Sequence, residues 1–206
     1  MLEKLATIEW SKLRHALGEA SDVPGDLRAT LSQDAQEREQ AFFDLFSTIY
    51  HQGKVYEASA YAVPFLFEIL ESDETPDKAT VASLLAALAD GHSYLEAHGS
   101  IDWLRPIIEK QLAADGREWQ DELERERSWV RASRIAVGQR LEALYDYLQD
   151  PDEELRRLII SALALYPHRA NETIPLLEQA LETECNDDLR EAIRAAVAQL
   201  RTGSNR

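Results

Sequence analysis

A proline-containing apolar stretch occurs three times in this chain, at residues 62–70, 103–112 and 173–181. Each copy has a proline, two large apolar residues, three further residues and then a leucine. The apolar positions recur at helical spacing, and the first and last copies lead through a polar turn into a second amphipathic helix. A two-helix unit that returns along a chain is typical of an α-solenoid, because each repeat buries its apolar face against its neighbours. The pattern therefore predicts an all-α superhelix of antiparallel helical hairpins.

Hydrophobic spacing also predicts the structure that precedes the first of these stretches. Residues 2–17 carry apolar side chains on one helical face and are predicted to form a helix. His51 is interpreted as a residue near the end of a later helix, with Gly53 as its stop. A proline inside a helical pattern removes a backbone donor and kinks or restarts the helix. Three prolines at equivalent places therefore predict a shape requirement that the repeats share, most simply curvature of the superhelix.

The segment from residue 113 to 128 departs from the repeat pattern. Its second half consists largely of charged residues with little apolar stripe, so we expect a solvated helix or an insertion there. The sequence predicts a single solenoid domain over residues 1–201 and a frayed tail at 202–206. Gly138 lies inside the next amphipathic helix and costs about 1 kcal/mol there relative to alanine, so it predicts a kink or close helix packing.

Composition limits the chemistry that is open to the chain. Its 206 residues are enough to bury a core without disulfides or metals. The single cysteine, Cys185, excludes an intramolecular disulfide and a cysteine-based zinc site. No signal-like segment begins the sequence, and no apolar run approaches the ~20 residues that span a bilayer. These observations predict a cytoplasmic protein that does not associate with membranes.

The balance of charge is strongly acidic. The chain has 38 acidic and 22 basic side chains, which give a formal net charge of −16. Such a chain is repelled by nucleic-acid phosphates unless it carries a local basic patch, and no basic patch is evident in the sequence. We therefore expect no nucleic-acid partner. The charge fits plain solubility, and it also fits attraction to a partner with a basic surface.

Two groups of residues connect the chain to a known family. An acidic turn followed by Leu-Arg and then by a small residue occurs at 150–162 and again at 184–196, and this order resembles HEAT repeats. The block at 51–58, which continues into residues 62–66, resembles a family of bacterial HEAT-repeat proteins. The resemblance covers most of residues 10–200 and implies a HEAT- or armadillo-like superhelix. It implies a partner-binding role and brings no catalytic residues with it.

Carboxylates cluster in three predicted turns between paired helices. Because equivalent turns of a solenoid stack along one edge, we expect an acidic ridge whose natural ligand is a cationic protein surface. The alternative is that each carboxylate only caps the helix that follows it, a contribution of about 0.3–1 kcal/mol. The candidate protein-binding residues of the turns are Glu71, Asp73, Glu74, Asp77, Asp150, Asp152, Glu153, Glu184, Asp187 and Asp188.

The tryptophans are divided between core and surface. Trp119 lies in the most polar segment and is expected to be an exposed contact residue of a partner site. Trp10, Trp103 and Trp129 are expected in the core. A base-stacking surface like that of HEAT-like DNA glycosylases would also use aromatic residues, but it requires a basic groove that an acidic chain does not offer.

No motif for catalysis or for a cofactor stands out. The five histidines are scattered and none is followed by a glutamate, so the His-Glu dyads of HEAT-like di-iron hydroxylases are missing. The sequence has neither a Gly-x-Ser-x-Gly motif nor a phosphate-binding glycine loop. We therefore expect no cofactor, no metal and no catalytic residue.

These observations predict a non-enzymatic α-solenoid that binds another protein. The most specific form of this hypothesis is an immunity or antitoxin protein that masks a basic toxin, because an acidic surface speeds the capture of a cationic site. A general scaffold or regulatory adaptor is one alternative. A HEAT-like nucleic-acid repair enzyme is another, and it would need a positively charged concave groove. The oligomeric state stays open, with a monomer favoured.

Overall fold

The computed structural model describes residues 1–203, and α-helices dominate it. Each helix has an apolar face that turns inward against a neighbouring element. The predicted all-α architecture is confirmed. The α-helices of the described residues are α1 Val23–Ala29, α2 Ala35–Thr48, α3 Glu57–Glu71, α4 Lys78–Asp90, α5 Tyr94–His98, α6 Arg105–Ala114, α7 Trp119–Gly138, α8 Glu142–Tyr145, α9 Glu153–Leu163, α10 Ala170–Thr183 and α11 Asp187–Gly203. The 3-10 helices that follow α8 and precede α10 are Asp146–Gln149 and Pro167–Arg169.

Helical hairpins stack in chain order. Helices α1 and α2 form the first hairpin, α3 and α4 the next, and α10 and α11 the last. Between them, α7 packs on both α3 and α4, while α9 packs on α4 and on α11. One apolar core runs through this stack from Leu2 to Leu200. Contact of each hairpin with the next is the arrangement expected of a solenoid.

The N-terminal segment is not the helix predicted over residues 2–17. It contains two 3-10 turns and a β-hairpin, and the buried ring of His15 holds the hairpin together. The backbone N–H of Leu17 donates to Nδ1 of His15 at 3.0 Å, and Nε2 of His15 lies 2.9 Å from Asp22. Leu17, predicted to face the core, is therefore exposed. The 3-10 turns are Glu3–Thr7 and Trp10–Lys12, and the antiparallel strands are β1 Arg14–His15 and β2 Gly18–Glu19.

A second β-hairpin replaces the predicted helix end at His51. Strand β3 (Tyr50–His51) pairs antiparallel with β4 (Lys54–Val55). The two loop residues both have positive φ, 50° at Gln52 and 88° at Gly53. These are the signs of a type I′ turn, whose twist matches that of a two-residue hairpin. The predicted role of His51 at a helix C-terminus is therefore wrong.

The three prolines of the repeated stretch are not equivalent. Pro64 lies inside α3 and Pro175 lies inside α10. Pro106 is instead the second residue of α6, where the missing N–H has no helical partner in any case. The predicted equivalence of the three prolines therefore fails for the middle copy, where the proline begins the helix.

Helices α5 and α6 stand apart from the stacked hairpins, and we call residues 94–114 the arm. Its buried side chains form a small apolar cluster that is separate from the main core. The polar helical insertion near residues 113–128 stays a prediction, and Trp119 and Leu123 of this segment pack on the arm cluster. Residues 119–128 begin a helix of 20 residues, α7, whose second half packs on the main core. The buried residues of the arm cluster are Leu95, Ile108 and Leu112.

The C-terminal helix extends further than predicted. Thr202 and Gly203, which were expected to fray, continue α11. The remaining predicted tail, residues 204–206, lies outside the described residues. Within the part of the chain that the structure describes, no helix has both the length and the apolar character needed to cross a membrane.

Candidate functional site

The three acidic turns lie side by side, and we call residues 71–77, 150–154 and 184–188 the acidic edge. The hydroxyl of Tyr147 donates to the carbonyl of Leu70 at 2.7 Å, which joins the end of α3 to the segment before α9. The side-chain amide of Asn186 donates to Glu153 at 2.8 Å, which joins the start of α9 to the turn before α11. The stacking of equivalent turns brings the predicted residues together as solenoid geometry requires.

Several carboxylates of the edge cap helices. Asp77 is the N-cap of α4 and accepts a hydrogen bond from the backbone N–H of Thr80 at 2.9 Å. Asp152 is the N-cap of α9 and accepts from the N–H of Leu155 at 3.2 Å. Asp150 accepts from the N–H of Asp152 at 2.9 Å. These three side chains fix the turns, which is the capping role that the sequence offered as the alternative.

Two further carboxylates of the edge are held in ion pairs. The buried side chain of Glu184 lies 2.9 Å from Arg156. Burial raises the pKa of Glu184, but hydrogen bonds from the backbone of Asn186 and from Arg156 outweigh it and hold the pKa below its ordinary value. Glu71 pairs with Arg140 at the surface. A partner would meet these side chains only after displacing an arginine.

Four carboxylates of the edge remain open to solvent. Asp73 and Glu74 lie in the turn after α3, and Asp187 and Asp188 are the first residues of α11. All four are exposed, and within residues 1–203 none of these carboxylates binds a cation or a hydrogen-bond donor. Glu153 is exposed as well, but it is engaged by the neighbouring turn. The edge thus presents two free acidic pairs on a rigid frame.

Trp119 does not belong to this edge. It begins α7, and its half-buried ring lies 5.0 Å from the guanidinium of Arg105 in the arm. The prediction that Trp119 is exposed is therefore wrong, while its role as a contact residue stays a prediction. Trp103, predicted in the core, is instead 69% exposed, while Trp10 is buried as predicted. Trp129 is half-buried.

A cavity of ≈ 410 Å³ lies where the two β-hairpins, the arm and α7 meet. An adjoining cavity of ≈ 190 Å³ shares four of its lining residues. Sequence reasoning missed this site because its residues come from four segments that are far apart in the chain. The one local signal was the pair of glutamates four residues apart at 122 and 126, which share a helical face. The polar and aromatic residues of the larger cavity include Arg14, His51, Lys54, Tyr56, Tyr94, His98, Arg117, Glu122, Glu126 and Trp129.

Glu126 is a buried carboxylate that ties the arm to α7. Its Oε2 accepts hydrogen bonds from the hydroxyl of Ser93 at 2.7 Å and from the backbone N–H of Leu95 at 2.8 Å. It therefore caps α5 from a different helix. Burial raises the pKa of Glu126 more than these hydrogen bonds lower it.

Glu122 is buried one turn earlier on the same face of α7. Its carboxylate pairs with Arg117, and also with Arg125 at 2.8 Å. The segment predicted to be solvated therefore turns two of its acidic side chains, Glu122 and Glu126, inward, while Asp121 and Glu124 are exposed. Among the described residues, no three histidine, cysteine or acidic side chains are grouped so as to hold a metal ion.

Comparison with known proteins bears on the second half of the chain. A sequence profile described as HEAT repeats matches residues 127–198, from within α7 into α11. This part of the chain contains HEAT repeats. A crystal structure of an engineered protein is similar, with a TM-score of 0.38 and 19% identity over 89% of this chain and 81% of that one. No curated protein sequence matches the chain.

The acidic edge extends beyond the region that matches HEAT repeats. The turns at 150–154 and 184–188 lie inside the HEAT-repeat match, and the turn at 71–77 lies outside it. Helix α4 follows that outer turn and packs directly on α9. The free carboxylates therefore belong to hairpins that stack as one series across the boundary of the match.

Proposed function

We propose that this protein is a non-catalytic scaffold that binds another protein through the acidic edge. The observation that carries this proposal is the placement of two free acidic pairs, Asp73 with Glu74 and Asp187 with Asp188, on stacked turns. The other carboxylates of the edge hold the turns in place, so the free ones lose little conformational freedom when a partner binds. Such a surface complements a partner rich in lysine and arginine.

The net charge supports capture of a basic partner. A chain with a formal charge of −16 attracts a cationic protein over several ångströms and speeds the encounter. This attraction is screened by salt, because the Debye length falls from about 10 Å at 0.1 M to about 3 Å at 1 M ionic strength. The proposal therefore makes capture of the partner dependent on salt.

The experiment is affinity capture from a native lysate with the full chain as bait, followed by mass spectrometry of the bound protein. It uses a variant in which the four free carboxylates of the edge become amides, and a control in which four exposed carboxylates elsewhere become amides. Both variants have the same net charge, so they separate the edge from the charge of the whole chain. The edge variant is Asp73→Asn, Glu74→Gln, Asp187→Asn and Asp188→Asn, and the control is Glu19→Gln, Glu39→Gln, Asp115→Asn and Asp121→Asn.

We expect a basic protein that the wild type and the control retain at low salt and that the edge variant loses. Retention should also fall as the salt concentration rises. An acidic partner, or one retained equally at all salt concentrations, contradicts the electrostatic proposal. Equal loss by the edge variant and the control would show that the total charge, and not the edge, captures the partner.

The most specific form of the proposal is that the chain is an immunity or antitoxin protein that masks a basic toxin. Its test follows the capture experiment. The recovered partner is expressed alone and together with this chain, and growth of the host is compared. Growth arrest that the wild-type chain relieves and the edge variant does not relieve supports this form. A partner that does not impair growth favours the scaffold or adaptor instead.

A further inference from the structure

The cavity between the two β-hairpins, the arm and α7 concentrates basic side chains in an acidic protein. Arg14, Lys54 and Arg117 line it, together with Glu122 and Glu126. It adjoins the N-terminal end of α3, whereas the acidic edge begins at the C-terminal end of that helix. A helix of 15 residues separates the two sites by about 22 Å. The cavity is therefore distinct from the proposed partner site.

Two of the cations that line the cavity are not neutralised by the protein. The ammonium of Lys54 donates to the carbonyl of Gln52 at 2.7 Å. The backbone N–H of Arg14 donates to Glu57 at 3.2 Å, but its guanidinium does not. Over the described range 1–203, neither charged group has a carboxylate within ion-pair distance. In a chain with 38 acidic side chains, two unpaired cations on one cavity favour an anionic ligand.

The carboxylates of the cavity wall are already occupied. Glu122 is bound by Arg117. Glu126 accepts hydrogen bonds from the hydroxyl of Ser93 and the backbone N–H of Leu95. A carboxylate that is paired with a cation or already accepts hydrogen bonds repels an incoming anion less than a free carboxylate does. The wall therefore leaves the charge of Lys54 and Arg14 available.

Aromatic rings form another part of the wall. The ring of Tyr94 stacks on the imidazole of His98 with centroids 4.3 Å apart, and Tyr94 is 38% exposed. The half-buried ring of Trp129 lines the same cavity. Flat aromatic faces favour stacking with another planar ring. The cavity thus offers a surface for a planar group beside its unpaired cations.

We propose that this cavity binds a small anionic molecule that carries a planar ring. Arg14 and Lys54 would hold its carboxylate or phosphate group, and Tyr94 would stack on its ring. The volume of ≈ 410 Å³ is within the range of roughly 300–1,000 Å³ that small-molecule sites occupy. The ligand class follows because unpaired cations and exposed aromatic rings line the same cavity. It does not depend on what the acidic edge binds.

The first experiment is isothermal titration calorimetry of the full chain with four probes. AMP and indole-3-acetate carry a ring and an anion, and they distinguish a phosphate ester from a carboxylate. Adenosine carries the ring alone, and inorganic phosphate carries the anion alone. We expect at least one of the first two to bind at one site, at least about tenfold more tightly than adenosine and phosphate. The proposal is wrong if neither AMP nor indole-3-acetate binds with a Kd below about 1 mM. It is also wrong if adenosine or phosphate binds as tightly as they do.

The second experiment assigns the binding to the cavity. The double variant Arg14→Gln/Lys54→Gln should lose affinity for the anionic ring probe by about tenfold or more, because each cation makes a charge-assisted contact. The matched control Lys4→Gln/Arg194→Gln removes an exposed lysine and arginine outside the cavity, and it should bind as the wild type does.

A third variant tests the ring. Tyr94→Leu keeps apolar bulk but removes the stacking face, so it should weaken the ring probe and leave the thermal unfolding midpoint nearly unchanged. Thermal unfolding of every variant confirms that the chain is folded at the temperature of the titration. Wild-type affinity in the Arg14/Lys54 variant, or the same loss in the control, would place the binding elsewhere and overturn the proposal.

Discussion

Two tryptophans with the same predicted role occupy opposite environments. Trp10 is 5% exposed, its Nε1 donates to the carbonyl of Leu5 at 2.9 Å, and its ring centroid lies 6.2 Å from that of Phe65. Trp10→Ala should lower the free energy of unfolding by about 3–5 kcal/mol, because it opens a cavity and removes the donor of a buried carbonyl. Trp103→Ala, at a 69% exposed position, should change it by less than about 0.5 kcal/mol. Urea unfolding followed by circular dichroism measures both free-energy changes. Similar losses would contradict the placement of Trp10 in the core and Trp103 at the surface.

Gly138 shows how a residue without a side chain can be required by its neighbour. A Cβ at Gly138 would lie 2.8 Å from the ring of Tyr166, which is 1% exposed and donates from its hydroxyl to the carbonyl of Arg134. The ring of Tyr166 cannot move away without losing its buried contacts and this hydrogen bond. Gly138→Ala should therefore destabilise the fold by about 1–3 kcal/mol, although alanine is the better helix former.

The control for this prediction is Gly25→Ala in α1. A Cβ there meets nothing within 4 Å, so the substitution should stabilise the protein by about 0.5–1 kcal/mol. Denaturant midpoints of the two variants should move in opposite directions. If Gly138→Ala also stabilises the chain, the close contact with Tyr166 does not constrain the helix.

At the scale of single elements, the turn of the second β-hairpin carries a residue that suits it poorly. Gln52 has a φ of 50°, a left-handed conformation that asparagine tolerates better than glutamine does. Gln52→Asn should therefore raise the free energy of unfolding by about 0.5–1 kcal/mol. Gln33→Asn, in an exposed loop with negative φ, is the control and should have little effect. A loss of stability in Gln52→Asn relative to this control would contradict the left-handed conformation assigned to residue 52.

The attachment of α5 to α7 should respond to pH through Glu126. Because its folded-state pKa lies above the ordinary value of 4.5, the native protein takes up a proton before the unfolded chain does. The ionised carboxylate thus opposes folding near neutral pH, and this effect is relieved as the pH falls through the folded pKa. Wild type should gain stability relative to Glu126→Gln as the pH falls from neutral towards the ordinary glutamate pKa of 4.5.

The control for the pH experiment is Glu118→Gln, which removes one exposed charge at the N-cap of the same helix. It corrects for the general effect of net charge on stability. Urea unfolding of the three proteins over this pH range measures the difference. If wild type loses stability relative to Glu126→Gln as the pH falls, the folded-state pKa of Glu126 is not raised.

The sequence predicted helices well where their own residues decided the structure and poorly where distant residues did. Asp152 caps α9 and is recognisable from the sequence alone, because the cap bonds residues that directly follow it. The N-terminal hairpin depends on the buried ring of His15, whose burial is a tertiary property. The same is true of Glu126, which caps a helix 31 residues away in sequence. The polar segment that contains Glu126 was therefore predicted to be solvated, although Glu122 and Glu126 face inward.

At the scale of the whole molecule, repetition made one site predictable and hid the other. The acidic edge follows from the stacking of equivalent turns, so its location could be derived from the repeat alone. The cavity forms where the arm and α7 meet the two β-hairpins. Neither the arm nor the β-hairpins belong to the stacked helical hairpins. Helix α3 connects the two regions, since it begins beside the cavity and ends in the acidic edge. A site outside a repeat leaves no periodic signal in the sequence, because it is formed by tertiary contacts between distant segments.

The excess of negative charge should make the whole fold more stable in salt. Most ion pairs of the described residues involve exposed side chains, for example Arg201 with Glu178, and such pairs contribute about 0–1 kcal/mol each. The repulsion that arises from the excess of 38 acidic over 22 basic side chains then dominates, and salt screens this repulsion. The free energy of unfolding in urea should rise by about 1 kcal/mol between about 10 mM and about 500 mM NaCl. The variant with four amides in the acidic edge has less charge to screen and should rise less. A fall in stability with salt would instead mean that the ion pairs outweigh the repulsion.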